Sequence, residues 1–173
     1  TEASSAGTGF LADVCCAWED AAQPAIDGGA RVCFVRTSLV LDAKHGILAL
    51  MLPAWKLGGG AKLGNGRQHM SLISLNDWLR ATTFLIETPS APGAFPLAMP
   101  EPSTNAEFTD ALGTAVHRPT FLAAPELMLR AALGAPAEDL LGSLRLSPAA
   151  LLDAGFSFEQ PDLTSALAAA LGR

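Results

Sequence analysis

Gly28-Gly29-Ala30-Arg31-Val32-Cys33-Phe34-Val35-Arg36-Thr37 is the stretch on which the fold turns. Residues 31–37 form a short, nearly continuous apolar run bounded by glycines, the pattern of a strand buried on both faces in a parallel sheet. Upstream, Phe10, Leu11, Val14, Cys15 and Trp18 recur at helical spacing among alanines and predict a helix through Ala22, ended by Pro24 and Gly28-Gly29. A helix followed by a buried strand is half of a βαβ unit. The strand that should precede the helix is missing, so the chain reads as the C-terminal part of something larger.

Working downstream, Leu48, Met51, Leu52 and Trp55 share one face of a predicted helix over about Gly46 to Leu57, which Gly58-Gly59-Gly60 ends. A glycine-rich loop continues through Gly64-Asn65-Gly66 to Arg67-Gln68. Alternation resumes at Ser71-Leu72-Ile73-Ser74-Leu75, and Asn76-Asp77 is expected to cap a helix running to about Glu87. Pro89 and Pro92-Gly93 should break the chain before a short strand from Phe95 to Met99. The remainder is mostly helical. Thr104-Asn105-Ala106-Glu107 is a capping box opening a helix with Phe108, Leu112 and Val116. Further helices are expected from Pro125 to Gly134, from Ser147-Pro148 with serine as cap, and from a capping Asp162 with Leu163 and Leu167 inward. Phe156 and Phe158 suggest a short edge strand. The first half is thus α/β and the second mostly α.

Composition narrows the chemistry. The 173 residues are half hydrophobic and only 16% charged, which argues for a packed core rather than disorder. Seventeen acidic side chains against 11 basic ones, with no basic run, argue against nucleic acid as partner. There is no tyrosine, so no tyrosine hydroxyl of this chain acts as acid, base or nucleophile. Cys15, Cys16 and Cys33 form neither a CxxC nor an even framework, which points to a reducing compartment. The longest apolar run, Gly46 to Trp55, is interrupted by Pro53 and is too short to span a membrane. Residues 1–5 are polar and lack a basic flank, so no secretory leader is expected. A soluble cytoplasmic protein is the expectation.

The glycine loop fails the strong tests for a phosphate cradle: it contains no GxxxxGK[ST], and no GxGxxG leads from strand into helix. Alone, such glycines most often permit positive φ at a tight reversal. The longer order is more specific. Gly64-Asn65-Gly66-Arg67-Gln68, then a strand, then the Asn76-Asp77 cap, resembles a stretch of the extended short-chain dehydrogenase/reductases, which include nucleotide-sugar epimerases and dehydratases. In that alignment Gly64 and Gly66 make the turn, Gln68 is the family glutamine and Asp77 the capping aspartate. Met70 falls where those enzymes commonly carry a diphosphate-binding arginine. Arg36-Thr37-Ser38-Leu39-Val40-Leu41 looks like the segment after the sixth sheet strand, at the nicotinamide end of the cleft. The helix from Phe10-Leu11-Ala12 to Trp18-Glu19, the loop ending in Gly66-Arg67-Gln68 and the segment Thr104 to Phe108 resemble an atypical, NAD(P)-dependent epimerase-like subgroup. A small C-terminal module of that subgroup is matched by His117-Arg118-Pro119, Ser147-Pro148, Leu151 and Gly155-Phe156.

The resemblance implies the C-terminal portion of a Rossmann-type fold with a mostly helical substrate-side cap and without the N-terminal nucleotide-binding strands. It divides the chain into a remaining Rossmann-like and substrate-binding region, residues 1–116, and a small helical module, residues 117–173. It implies NAD(P) for an intact relative, contacted here by Arg36, Thr37 and Ser38, and a small polar or sugar-like substrate contacted by Gly64, Gly66, Arg67 and Gln68. Two departures limit this. The glycine-rich turn that binds pyrophosphate at a helix N-terminus is absent. The family's Tyr-x-x-x-Lys positions, anchored on Glu19, fall on Leu11 and Cys15, so the catalytic residues are unassigned.

Each candidate has a plainer reading beside it. Arg67, with Gln68 and His69, either binds a phosphate or carboxylate or is a solvated loop charge. Arg36 either faces a ligand crevice at a strand's carboxyl end or pairs with Asp42 or Glu19. Thr37 and Ser38 either donate to a cofactor amide or satisfy strand-end backbone. His45 and His117 sit near helix ends with no second ligand at metal spacing, so no metal is expected. Ser143 has no GxSxG turn, which leaves a hydrolase triad unsupported. The expected function is the C-terminal part of an NAD(P)-dependent epimerase- or oxidoreductase-like protein, inactive and without bound cofactor by itself. The alternative is a non-enzymatic binding or assembly module, whose partner would be a second copy or a complementing N-terminal half, with no nucleic acid and no membrane.

Overall fold

The computed structural model describes residues 2, 4–88, 93–134 and 136–172. The breaks expected at Pro89 and Pro92 lie outside the described residues. In chain order the elements are α1 (Phe10–Asp20), α2 (Gln23–Asp27), β1 (Cys33–Thr37), β2 (Leu39–Leu41), α3 (Gly46–Lys56), β3 (Ala61–Leu63), β4 (His69–Met70), β5 (Leu72–Ser74) and α4 (Leu75–Glu87). They continue with β6 (Gly93–Leu97), β7 (Ser103–Thr104), α5 (Asn105–Ala115), β8 (Leu122–Ala124), α6 (Glu126–Leu133), α7 (Pro136–Leu141), α8 (Ala149–Asp153) and α9 (Leu163–Ala170). The architecture is mixed α/β, as the sequence pattern requires.

Residues 33–41 form the spine. β1 runs parallel to β6, from Cys33 opposite Gly93 to Thr37 opposite Leu97. At Ser38 the chain changes neighbour: Ser38 N donates to Leu97 O, and Leu39 N donates to Ser71 O. β2 then runs parallel to β5, from Leu39 opposite Leu72 to Leu41 opposite Ser74. Met99 N donates to Leu72 O at 2.7 Å, which ties the two pairs together beyond the fork. β3 pairs in parallel with β8, and β4 pairs antiparallel with β7.

The doubly buried strand is β5 rather than the 31–37 stretch. Leu72, Ile73 and Ser74 are all buried, and successive residues point to opposite faces. Leu72 enters a core with Leu41, Leu48, Leu52, Trp55, Phe108, Leu112 and Leu167. Ile73 enters another with Ala81, Leu85, Phe95, Leu97, Leu151 and Phe156. β1, by contrast, carries only half-buried and exposed residues, because β6 is its sole strand neighbour among the described residues. The apolar stripe of α1 is likewise uncovered: none of its residues is buried, and Phe10 and Trp18 are 79% and 74% exposed.

α3 runs through Pro53 as expected, although Pro53 has no N–H for the carbonyl of Ala49; the buried Leu52 and Trp55 on either side anchor that turn of helix in the core. Several other local expectations change. Asn76-Asp77 is not the cap of α4: Ser74 holds that place, its Oγ accepting from Asp77 N. Ser147 does not cap α8; Pro148 occupies the cap position with no side-chain hydrogen bond. Phe156 and Phe158 are not in a strand. They stack edge to face with ring centroids 5.0 Å apart, and Phe84 packs on Phe156 at 5.6 Å. Both capping boxes, at Thr104–Glu107 and Asp162–Ser165, are present.

Candidate functional site

The Gly64–Gln68 turn is held by hydrogen bonds to three of its backbone N–H groups and two of its carbonyls. Gly64 N donates to Ala124 O, Gly66 N to Leu63 O, and Arg67 N to Asn65 Oδ1. The N-terminus of α5 supplies two further donors: Ala106 N to Gly66 O and Asn105 N to Gln68 O, both at 2.9 Å. Gly64 and Gly66 have φ of 58° and 71°, left-handed conformations that glycine adopts without strain. A Cβ on Gly66 would also lie 3.0 Å from Ala106 Cβ and 3.3 Å from its N, so the glycine admits the helix end against the turn.

Asn105 is the bracket that sequence reasoning passed over. It is buried, its Oδ1 accepts from Leu63 N at 2.7 Å, and its Nδ2 reaches Met70 Sδ at 3.4 Å. Its only sequence signal was membership of the Thr104–Phe108 motif. Gln68 points inward, Nε2 donating to Leu63 O at 3.1 Å. The Arg67 side chain is exposed and makes no ion pair among the described residues. His69 is half-buried, and its Nδ1 has no hydrogen-bond partner among the described residues. Ser143, which has no nucleophile setting, accepts from His69 N at 3.0 Å.

Arg36, Thr37 and Ser38 sit at the carboxyl end of β1, where the chain changes neighbour. The salt-bridge alternative for Arg36 is realised with Glu19, Nε to Oε1 at 2.7 Å and Nη2 to Oε2 at 2.8 Å. This two-pronged pair lowers the Glu19 carboxyl below its ordinary value and raises Arg36. Asp42 instead accepts from Lys44 N and pairs with His45. Thr37 Oγ1 accepts from Trp78 Nε1 at 3.0 Å, and Ser38 Oγ donates to Leu97 O at 2.6 Å. The hydrogen bonds therefore hold the 36–38 group to α1, α4 and β6, and the 64–68 group to α5 and β8. None of them joins the two groups.

Leu11 and Cys15 both lie exposed on α1. No group of three metal-ligating side chains is assembled among the described residues. Hollows occur on other faces: one of about 440 Å³ between α4 and Phe156, another of about 280 Å³ lined by Leu41, Asp42, Ser74 and Asn76. Neither is lined by the predicted site residues.

Comparison with known proteins places this geometry. Residues 124–170 match a family described as a domain of unknown function, DUF1731. An epimerase family protein of Mycobacterium bovis is 49% identical over 99% of this chain, which spans 58% of that relative's length. The crystal structure of the human epimerase family protein SDR39U1 with NADPH superposes at a TM-score of 0.77 and 30% identity. That match covers 80% of this chain and 47% of the human one.

The chain corresponds to the C-terminal part of proteins of the epimerase family.

A nucleoside-diphosphate sugar epimerase from Corynebacterium glutamicum extends the epimerase-family match to 99% of this chain and 33% of that one, with a TM-score of 0.80 and 32% identity. The family relationship supports NAD(P) use at the level of the family. No described helix is long and apolar enough to cross a membrane.

Proposed function

We propose that this chain supplies the substrate-side wall of an NAD(P)-dependent epimerase- or oxidoreductase-like protein acting on a small polar or sugar-like substrate. The observation that carries the reading is the superposition on the human relative solved with NADPH. In this reading Thr37 and Ser38, with Arg36 behind them, border the nicotinamide end. The Gly64–Gln68 turn presents Arg67 and the Gln68 carbonyl to substrate. Residues 1–116 form the crevice wall and residues 117–173 the module that backs it.

The described residues do not fit a complete dinucleotide site. The Arg36 guanidinium is engaged by Glu19, the Ser38 hydroxyl by Leu97 O, and the backbone N–H groups of Gly64, Gly66 and Arg67 by Ala124, Leu63 and Asn65. With Leu11 and Cys15 at the Tyr-x-x-x-Lys positions, the chain offers no hydroxyl–ammonium pair for proton transfer. By itself it holds no NAD(P) and turns nothing over. Its compartment is cytoplasmic, in keeping with three cysteines that form no disulfide.

The uncovered face of α1 favours a second reading, an assembly module. Phe10, Leu11 and Trp18 are exposed together, and such a patch marks an association surface. Size exclusion with light scattering separates the two. Mixing the chain with a nucleotide-binding half taken from the mycobacterial relative should give a one-to-one complex that binds NADPH. A defined homodimer indifferent to that half supports the module. A monomer that neither pairs nor dimerises contradicts both.

A further inference from the structure

One later stretch of chain holds both flanks of the Gly64–Gln68 turn. Ahead of the turn, β3 pairs with β8 and Gly64 N donates to Ala124 O at 2.8 Å. Behind it, His69 N donates to Ser143 Oγ and Leu144 N donates to His69 O. Ser71 Oγ donates to Leu144 O at 2.7 Å and accepts from Leu146 N at 2.9 Å. This arrangement seats Glu126, the first residue of α6, on the turn. A Cβ at position 64 would lie 2.8 Å from Glu126 Cγ and 2.9 Å from its Oε1.

Three charges therefore flank the turn: exposed Lys62 on β3, exposed Arg67, and the Glu126 carboxylate, none ion-paired among the described residues. Lys62 and Arg67 attract an anion, while the exposed Glu126 carboxylate beside Gly64 repels one. Discrimination built on such a repulsive group is a general device of specificity. Met70, on the far flank, adds no cation.

We propose that Glu126 is a specificity-determining residue which turns the Gly64–Gln68 site away from diphosphate-bearing ligands, residues 122–124 and 143–146 being the clamp that fixes the turn beside it. The ligand class that remains is polar and without a diphosphate. The inference rests on the reading of this turn as a ligand contact.

Inorganic pyrophosphate is the probe, titrated into the chain and followed by calorimetry, with circular dichroism confirming that each variant is folded. Glu126→Gln should bind pyrophosphate at least about fivefold more tightly than the unaltered chain, as expected for removing one partly screened like charge. Adding Arg67→Ala to Glu126→Gln should abolish the gain. If Glu126→Gln changes nothing while Arg67→Ala abolishes binding, the role of Glu126 is overturned and the turn stands as a ligand site. If pyrophosphate binds equally with and without Arg67, or binds none of the variants, both the role of Glu126 and the reading of the turn fail.

Discussion

Asp77 is fully buried, yet its carboxylate is saturated. Oδ1 accepts from Arg80 Nη1 at 2.6 Å and from Glu159 N at 3.0 Å, and Oδ2 accepts from Gln160 N at 2.7 Å. The residue pins the segment leading into α9 onto the start of α4. Replacing it by alanine leaves the backbone N–H groups of Glu159 and Gln160 without their acceptor, while Arg80 keeps its ion pair with Glu159, so Asp77→Ala should cost about 3 kcal/mol in urea unfolding. Gly113 carries a second prediction against local propensity. In a helix, Gly→Ala ordinarily gains up to about 1 kcal/mol. Here the added Cβ would lie 2.2 Å from Thr120 Cγ2 and 2.8 Å from Arg118 O, so Gly113→Ala should lower stability by about 1–3 kcal/mol. Neither role was legible in sequence: Asp77 looked like a cap because its decisive acceptors' donors lie 82 and 83 residues away.

At the scale of elements, what the sequence discloses is chemistry closed within four residues. The boxes at Thr104–Glu107 and Asp162–Ser165 satisfy their own helix ends; the first was legible as a box, and of the second only the capping Asp162. Thr104→Ala should cost about 1 kcal/mol by loss of the cap. Hydrogen bonds from the Thr104 backbone N–H and hydroxyl hold Glu107 below its ordinary value of 4.5, and the Ser165 backbone N–H does the same for Asp162 relative to 3.8. A lowered folded-state pKa favours the native chain while the group is ionised. Their contribution is complete above those ordinary values and is lost as pH falls through the depressed ones. The urea midpoint should hold from about pH 7 to about pH 5 and fall below it; Glu107→Gln, which keeps the box, should flatten part of that fall. Elements whose definition depends on distant packing were misread. Phe156 and Phe158 alternate because Phe158 stacks on Phe156 and Phe156 on Phe84, not because they join a sheet. The alternation at residues 71–75 gave no sign of a doubly buried strand because Ser74 is polar, whereas Ser74 is buried with its hydroxyl engaged by Gln160 and Asp77 N.

For the whole molecule, the α/β start, the helical second half and the glycine turn were legible because glycine placement and apolar period report them directly. The clamp on that turn was not, since it joins residues 61–71 to 122–124 and 143–146 through backbone groups and the Ser71 and Ser143 hydroxyls, whose partners lie 73 and 74 residues away. The covering of α1 was also beyond local pattern: its stripe states that something packs there without saying what. If that face meets another chain segment, Trp18→Ser should leave the stability of this chain within about 0.5 kcal/mol, as for a surface change. The same variant should weaken association with a nucleotide-binding half, measured by light scattering. The central claim is that one wall of a nicotinamide crevice resides here and the other does not. Calorimetric titration of the chain alone with NADPH tests it most directly: no saturable heat at stoichiometric concentrations is the predicted result, and tight one-to-one binding would contradict it.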